Sequence, residues 1–253
     1  MPVVLVEKQT PQITVVTLNR PERRNALTIE LMNELIAAIE NAAADPAQRI
    51  LILRGAGKAF CTGLDLQEAA KAEPHVTAET VARTLLALAE TRFITIATVH
   101  GAAVAGGAGI MSACDFVIAA ERTKIGYPEV RRGLVAGLVM TFLRRQLRER
   151  DLRELLLASE LIEAERAREI GLVNRVVPAA ELETEMQKIT SSVLQGAPGA
   201  IGNSKRLLEE LWSTSVKEDI EVALRHHMEA RGSAESKEGI AAFNEKRPPN
   251  WAS

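Results

Sequence analysis

Three short stretches of this chain carry residues that could do chemistry together. Cys61-Thr62-Gly63-Leu64-Asp65 and Val104-Ala105-Gly106-Gly107 are glycine-bearing loops, and Tyr127-Pro128-Glu129 supplies a carboxylate. Glycine lets backbone approach another group closely. A helix opened by Gly106-Gly107 would present amide N–H groups with no intrahelical partner, together with the positive end of the helix dipole. Such a place can hold negative charge, although the same glycines would also serve tight packing of two elements. Two backbone N–H donors and one carboxylate are a minimal kit for making and holding an enolate. The donors hold the developing oxyanion of a carbonyl while Glu129 moves a proton on the neighbouring carbon. Backbone donors need no particular side chain, so an apolar Leu64 fits the role.

Other motifs fail on inspection. Gly57-Lys58 suggests a phosphate loop, but Ala59 stands where Ser or Thr should bind magnesium and Ile52 where the first glycine belongs. Neither Gly55-Ala56-Gly57 nor Gly107-Ala108-Gly109 completes a dinucleotide fingerprint, since Phe60 and Ser112 occupy the third position. No G-x-S-x-G or H-E-x-x-H occurs. His226 and His227 are adjacent, so on a helix they diverge and cannot chelate together; surface or packing roles are expected of them.

Elements that would position the loops can be read from periodicity. Strands are expected at residues 3–7, 13–18, 50–54, 94–99 and 116–119. Thr28 is placed to cap a helix whose Met32, Leu35, Ile36, Ile39 and Ala43 share a face, and Asp45-Pro46 stops it. Residues 71–77 read as a mobile surface segment, 80–90 as a helix, 102–105 as a small-residue turn and 124–133 as a loop. Loops after parallel strands gather at one end of a sheet, which would bring the glycine loops and Glu129 together. Strand and helix alternate through residue 119, which favours an α/β layer with a largely parallel sheet. From about Ala136 the pattern is mostly helical, with one strand at 173–177, and residues 178–194 carry an amphipathic stripe of Leu182, Met186, Ile189 and Val193.

The bulk properties narrow the partners. The chain has 253 residues, 47% hydrophobic and 25% charged, with 31 Lys and Arg against 33 Asp and Glu for a net charge of −2. That balance suits a globular protein of one large domain and gives no electrostatic reason to expect nucleic acid. Two cysteines, Cys61 and Cys114, are too few for a disulfide scaffold or a four-cysteine zinc site, so a reduced, cytoplasmic setting is expected. No apolar run is long enough to span a membrane.

Six ordered stretches together resemble the crotonase, or enoyl-CoA hydratase/isomerase, superfamily. They are Asn19-Arg20-Pro21 through Asn25-Ala26-Leu27, residues 60–66, residues 100–115, Pro128-Glu129, Gly171-Leu172-Val173-Asn174 and residues 242–247. The resemblance implies an α/β fold with a crotonase-like ββα superhelix over residues 1–195, continuous with a helical C-terminal trimerisation region at 196–253. It implies a homotrimer or a hexamer built as a dimer of trimers. It further implies an acyl-CoA substrate whose thioester oxygen is held by the N–H groups of Leu64 and Gly106, with Glu129 as acid and base. Gly63 belongs to the same loop, and Arg24, Ala26, Asp65 and Leu66 fall where the family lines its nucleotide and pantetheine path. Phe243 and Lys246 match positions near the coenzyme's phosphates, often supplied by a neighbouring subunit. No metal or separate cofactor is implied; coenzyme A enters as part of the substrate.

Two departures matter. Typical hydratases of the family carry two glutamates, and here the first position is Gly109. Loss of one acid/base group from a two-group mechanism costs on the order of 10²–10⁴ in rate. Hydration of a 2-enoyl-CoA or related chemistry is the leading expectation, with 3-enoyl to 2-enoyl-CoA isomerisation by a single glutamate as the alternative. A catalytically weak acyl-CoA or RNA binding protein, and an acyl-CoA decarboxylase or lyase, also fit. The second departure is Gly133-Leu134-Val135-Ala136-Gly137-Leu138-Val139, whose bulky aliphatics replace the proline and glycine cluster that shapes the acyl pocket in many hydratases. Tyr127, two residues before Glu129, could orient substrate or pack.

Overall fold

The protein is described by a computed structural model covering residues 2–71 and 73–251. In chain order it runs β1 (Val4–Thr10), β2 (Ile13–Leu18), α1 (Ile29–Ala44), β3 (Ile50–Gly55), α2 (Leu66–Ala69), α3 (Pro74–Ala89), β4 (Ile94–Val99), β5 (Ala102–Val104), α4 (Gly106–Ser112), β6 (Phe116–Ala120) and β7 (Lys124–Gly126). Then follow α5 (Gly137–Gln146), α6 (Glu149–Arg153), β8 (Ile162–Glu163), α7 (Ala164–Glu169), β9 (Arg175–Val177), α8 (Leu182–Gln195), α9 (Pro198–Glu210), α10 (Val216–Gly232) and α11 (Ala234–Glu245).

The main sheet has strand order β1-β2-β3-β4-β6-β9, with only the β1-β2 pair antiparallel. Alternation along each strand sorts its residues onto two buried faces. Leu51, Leu53, Ala97 and Val99 join the core shared with α1, α3, α4 and α5. Ile50, Ile52, Ile94 and Ile96 face the other way, onto Leu182, Met186, Ile189 and Val193 of α8. The register stacks Ile13, Ile50 and Ile94 in one row and Val15, Ile52 and Ile96 in the next. Thr28 caps α1, its Oγ1 accepting from the Leu31 N–H at 3.1 Å, and Asp45 ends it.

Four local expectations are corrected. The helix expected at 80–90 starts at Pro74, because proline suits the first helical turn, where no N–H partner is needed. Ala72, in the segment expected to be mobile, lies outside the described residues. Residues 102–104 are a strand rather than a turn, and the 124–133 loop contains β7 followed by a 3-10 turn, Pro128–Arg132. The 178–194 helix starts later, at Leu182, after a 3-10 turn at Ala179–Glu181.

These short strands change how the site is assembled. Strands β5, β7 and β8 form a second small sheet in which β5 and β7 run parallel. Gly101, at φ +66, turns the chain out of β4 into β5, and a side chain there would meet the Lys58 carbonyl oxygen at 2.0 Å. Gly106 and Glu129 therefore follow strands of the small sheet, and only the Leu64 loop follows a strand of the main one. At the C-terminal end, α10 packs on α5 and α3, and α11 packs on the Pro128–Arg132 turn.

Candidate active site

Backbone hydrogen bonds sew the three stretches together. The loop after β3 is held against β5 by Phe60 N–H to His100 O (2.9 Å), Cys61 N–H to Ala102 O (3.1 Å) and Val104 N–H to Cys61 O (3.0 Å). Leu27 brackets Leu64 from the other side, donating to Gly63 O at 2.8 Å and accepting from Asp65 N–H at 2.9 Å. Asn25, fully buried at φ +55, fastens this arrangement. Its Nδ2 lies 2.9, 2.8 and 3.1 Å from the carbonyl oxygens of Ala56, Ala59 and Phe60, and its Oδ1 accepts from Arg20 N–H at 2.8 Å. Asparagine tolerates this left-handed backbone better than most residues.

The glycines differ in what surrounds them. Gly107 serves packing, since a Cβ there would sit 2.3 Å from the Cys61 carbonyl oxygen. Gly63, at φ +85, is pressed against Ala105 and the Gly106 nitrogen. Gly106 lines a cavity that Leu64 also lines, and a Cβ added to Gly106 would stand 4.0 Å from the Leu64 nitrogen. Neither residue's N–H donates to a protein acceptor in the turns and loops among the described residues. The chain enters α4 through Ala105 at φ 51, ψ −127, a conformation that strains any residue with a Cβ.

The cavity has a volume of about 700 Å³, within the range of small-molecule sites. Glu129, Gly106 and Leu64 line it, as do Arg24, Ala26, Asp65, Leu66, Phe243 and Lys246; Gly63 lies behind the wall as a support. Phe243 and Lys246 reach it from the same chain, carried by α11 and its C-cap. Asp65 is also structural: its Oδ2 accepts from Arg20 Nη2 at 3.2 Å and its side chain caps α2.

Glu129 is the most perturbed acid facing the cavity. Burial pushes its carboxyl up to about 7, opposed by its own backbone N–H and by the charge of Arg132, and its Oε2 is buried with no hydrogen-bond partner. An unpartnered carboxylate oxygen on a residue that lines the same cavity as Leu64 and Gly106 is equipped to hold water or take a proton from a bound carbonyl compound.

Tyr127 takes the packing role. It is fully buried, and its hydroxyl lies 2.7 Å from Ser112 Oγ inside α4. Position 109 is closed: a Cβ on Gly109 would meet Val139 Cγ1 at 2.4 Å. The aliphatic stretch at Leu134, Val135, Leu138 and Val139 does line the cavity.

Among the polar residues of the wall that were not singled out as site residues from sequence are Arg132 and His227. Arg132 sits one 3-10 turn after Glu129, hidden while that segment read as a loop. His227, expected only at the surface or in packing, also lines the cavity, with Nδ1 3.3 Å from Val135 O and burial holding its pKa below the usual value. Its neighbour His226 points to solvent beside Glu229. Among the described residues no cluster of His, Cys, Asp and Glu could hold a metal, and both cysteines are buried and free.

The enoyl-CoA hydratase/isomerase family profile matches residues 8–253. The chain belongs to that family. It is 36% identical to a Thermus thermophilus protein named as an enoyl-CoA hydratase, over 98% of this chain and all of that one. It is 34% identical to a crotonyl-CoA hydratase of Syntrophomonas wolfei, over 99% of this chain and 98% of that one. Among solved structures, an enoyl-CoA hydratase/isomerase from Xanthobacter autotrophicus superposes with a TM-score of 0.87 at 30% identity, covering 96% of this chain and 93% of that one. The two sheets and helical C-terminal part are thus the crotonase fold. The protein is an acyl-CoA enzyme of the hydratase/isomerase type.

Proposed function

We propose that this protein adds water across the double bond of a 2-enoyl-CoA, with Glu129 as the single acid and base. The observation that carries the reading is Glu129 itself, a buried carboxyl with an unpartnered oxygen on the same cavity as the Leu64 and Gly106 N–H groups. Burial raises the Glu129 pKa to about 7, which brings both its base and its acid form within reach at neutral pH. In the first step the Glu129 carboxylate takes a proton from water while the water oxygen bonds to the β carbon. The π electrons move to the thioester oxygen, and the two N–H groups hold the resulting enolate. Collapse of the enolate draws the proton from Glu129 to the α carbon, which regenerates the carboxylate.

A second reading is favoured by Val139, which fills the space beside Gly109 where a second acid would stand. One carboxylate can carry a proton between two carbons of the same acyl chain, as 3-enoyl to 2-enoyl-CoA isomerisation requires. Following the ultraviolet absorbance of the conjugated enoyl thioester separates the two. Hydration predicts a falling signal with crotonyl-CoA, lost in Glu129→Gln. A rise with a 3-enoyl-CoA and no fall with crotonyl-CoA would replace hydration by isomerisation. No change with either substrate would sink both.

A further inference from the structure

The proposed chemistry leaves Arg132 without a task. Residues three apart in a 3-10 helix eclipse each other, so Arg132 lies on the same side of the Pro128–Arg132 turn as Glu129, and both line the cavity. Its guanidinium lies over the Phe243 ring, 4.5 Å from the centroid. Nη1 donates to Pro128 O at 3.3 Å, while Nε is buried with no partner. A guanidinium has five N–H donors in a planar fork that matches a carboxylate. Burying such a group with donors unfilled is costly.

No anion among the described residues fills that role. Among the described residues no ion pair within 4.0 Å involves Arg132, and the nearby Glu129 keeps its own Oε2 unpartnered. Asp65, on the same cavity, is engaged by Arg20. The turn cannot swing away to find another partner, because α11 is pressed against it. A side chain on Gly239 would meet the Arg132 carbonyl carbon at 2.5 Å, and one on Gly133 would meet Glu235 at 2.4 Å.

We infer that Arg132 selects the acyl group, its guanidinium receiving the terminal carboxylate of a short enoyl thioester derived from a dicarboxylic acid. The inference rests on the enoyl-thioester reading above. Glu129 must lie at the reacting carbons, so a cation one short turn away is within reach of the end of a short acyl chain. Arg23, Arg24 and Lys246 also line the cavity and supply other cations for the phosphates of the coenzyme.

The test measures binding, which does not depend on turnover. Glutaryl-CoA and pentanoyl-CoA are saturated, equal in chain length, and differ in one terminal carboxylate. Titration calorimetry on the wild type is expected to show glutaryl-CoA binding about tenfold or more tightly, the worth of a charged hydrogen bond. Arg132→Gln and Arg132→Leu should bring the ratio to about one with pentanoyl-CoA affinity little changed, and Arg132→Lys should keep part of the preference, since a lysine retains the charge but not the fork. A ratio near one in the wild type overturns the inference alone. Equal weakening of both thioesters in the Gln and Leu variants also overturns it, placing Arg132 against the coenzyme. Absence of binding to either thioester by wild type would sink the acyl-CoA reading itself.

Discussion

Removing the charge of Glu129 should make the protein more stable, and by an amount that depends on pH. The carboxyl has an ordinary value of 4.5 and is pushed up to about 7 by burial. For an acid whose folded pKa is raised, folding favours the protonated form. Below 4.5 both states are protonated and there is no penalty. Between 4.5 and 7 the unfolded chain ionises while the folded one stays neutral, so stability falls as pH rises, and above 7 the loss is complete. At about 1.4 kcal/mol per tenfold change in acid constant, the full penalty is about 3 kcal/mol, most of which develops between pH 5 and pH 8. Glu129→Gln keeps the shape and removes the titration. Urea unfolding of both proteins at fixed concentration should therefore show the variant gaining about 2–3 kcal/mol on the wild type between those two pH values. A stability difference that does not change with pH would refute the claim that burial holds this carboxyl near neutrality, and with it the account of one residue acting as both base and acid.

Three further outcomes follow from the packing around the site. Ala105→Gly removes a Cβ from a backbone at φ 51, ψ −127, and should raise stability by about 1 kcal/mol after the added entropy of glycine in the unfolded chain, read as an upward shift in thermal midpoint. Gly109→Glu drives a Cβ to 2.4 Å from Val139 Cγ1 and should cost about 1–3 kcal/mol, with most of that recovered in the Gly109→Glu/Val139→Gly double variant on denaturant titration. Asn25→Ala strips hydrogen bonds from the carbonyls of Ala56, Ala59 and Phe60 and puts alanine at φ +55. A loss of about 3 kcal/mol is expected, and hydrogen exchange should show the protection of the residue 56–65 loop falling first.

The sequence by itself determined the main sheet, the capped α1 and part of the cavity lining, Glu129, Gly106 and Leu64 among it. Apolar strands buried on both faces carry their pattern in every residue, and Thr28 and Asp45-Pro46 mark helix ends by chemistry that acts over three or four positions. Glu129, Gly106 and Leu64 were legible because a backbone donor and a carboxylate each announce themselves locally. What only the tertiary structure decided depends on contacts far apart in the chain. Strands of two or three residues such as β5, β7 and β8 hold their shape by pairing with each other, so residues 102–104 and 124–126 read alone as turn and loop. That small sheet, sewn to the Leu64 loop through Cys61, sets Glu129 on the same cavity as Leu64 and Gly106. The 3-10 turn it feeds puts Arg132 beside Glu129, and the fold of α10 and α11 back over the cavity adds His227 and Phe243. Val139 lies thirty residues from Gly109, and nothing local in either segment could show that one fills the space left by the other.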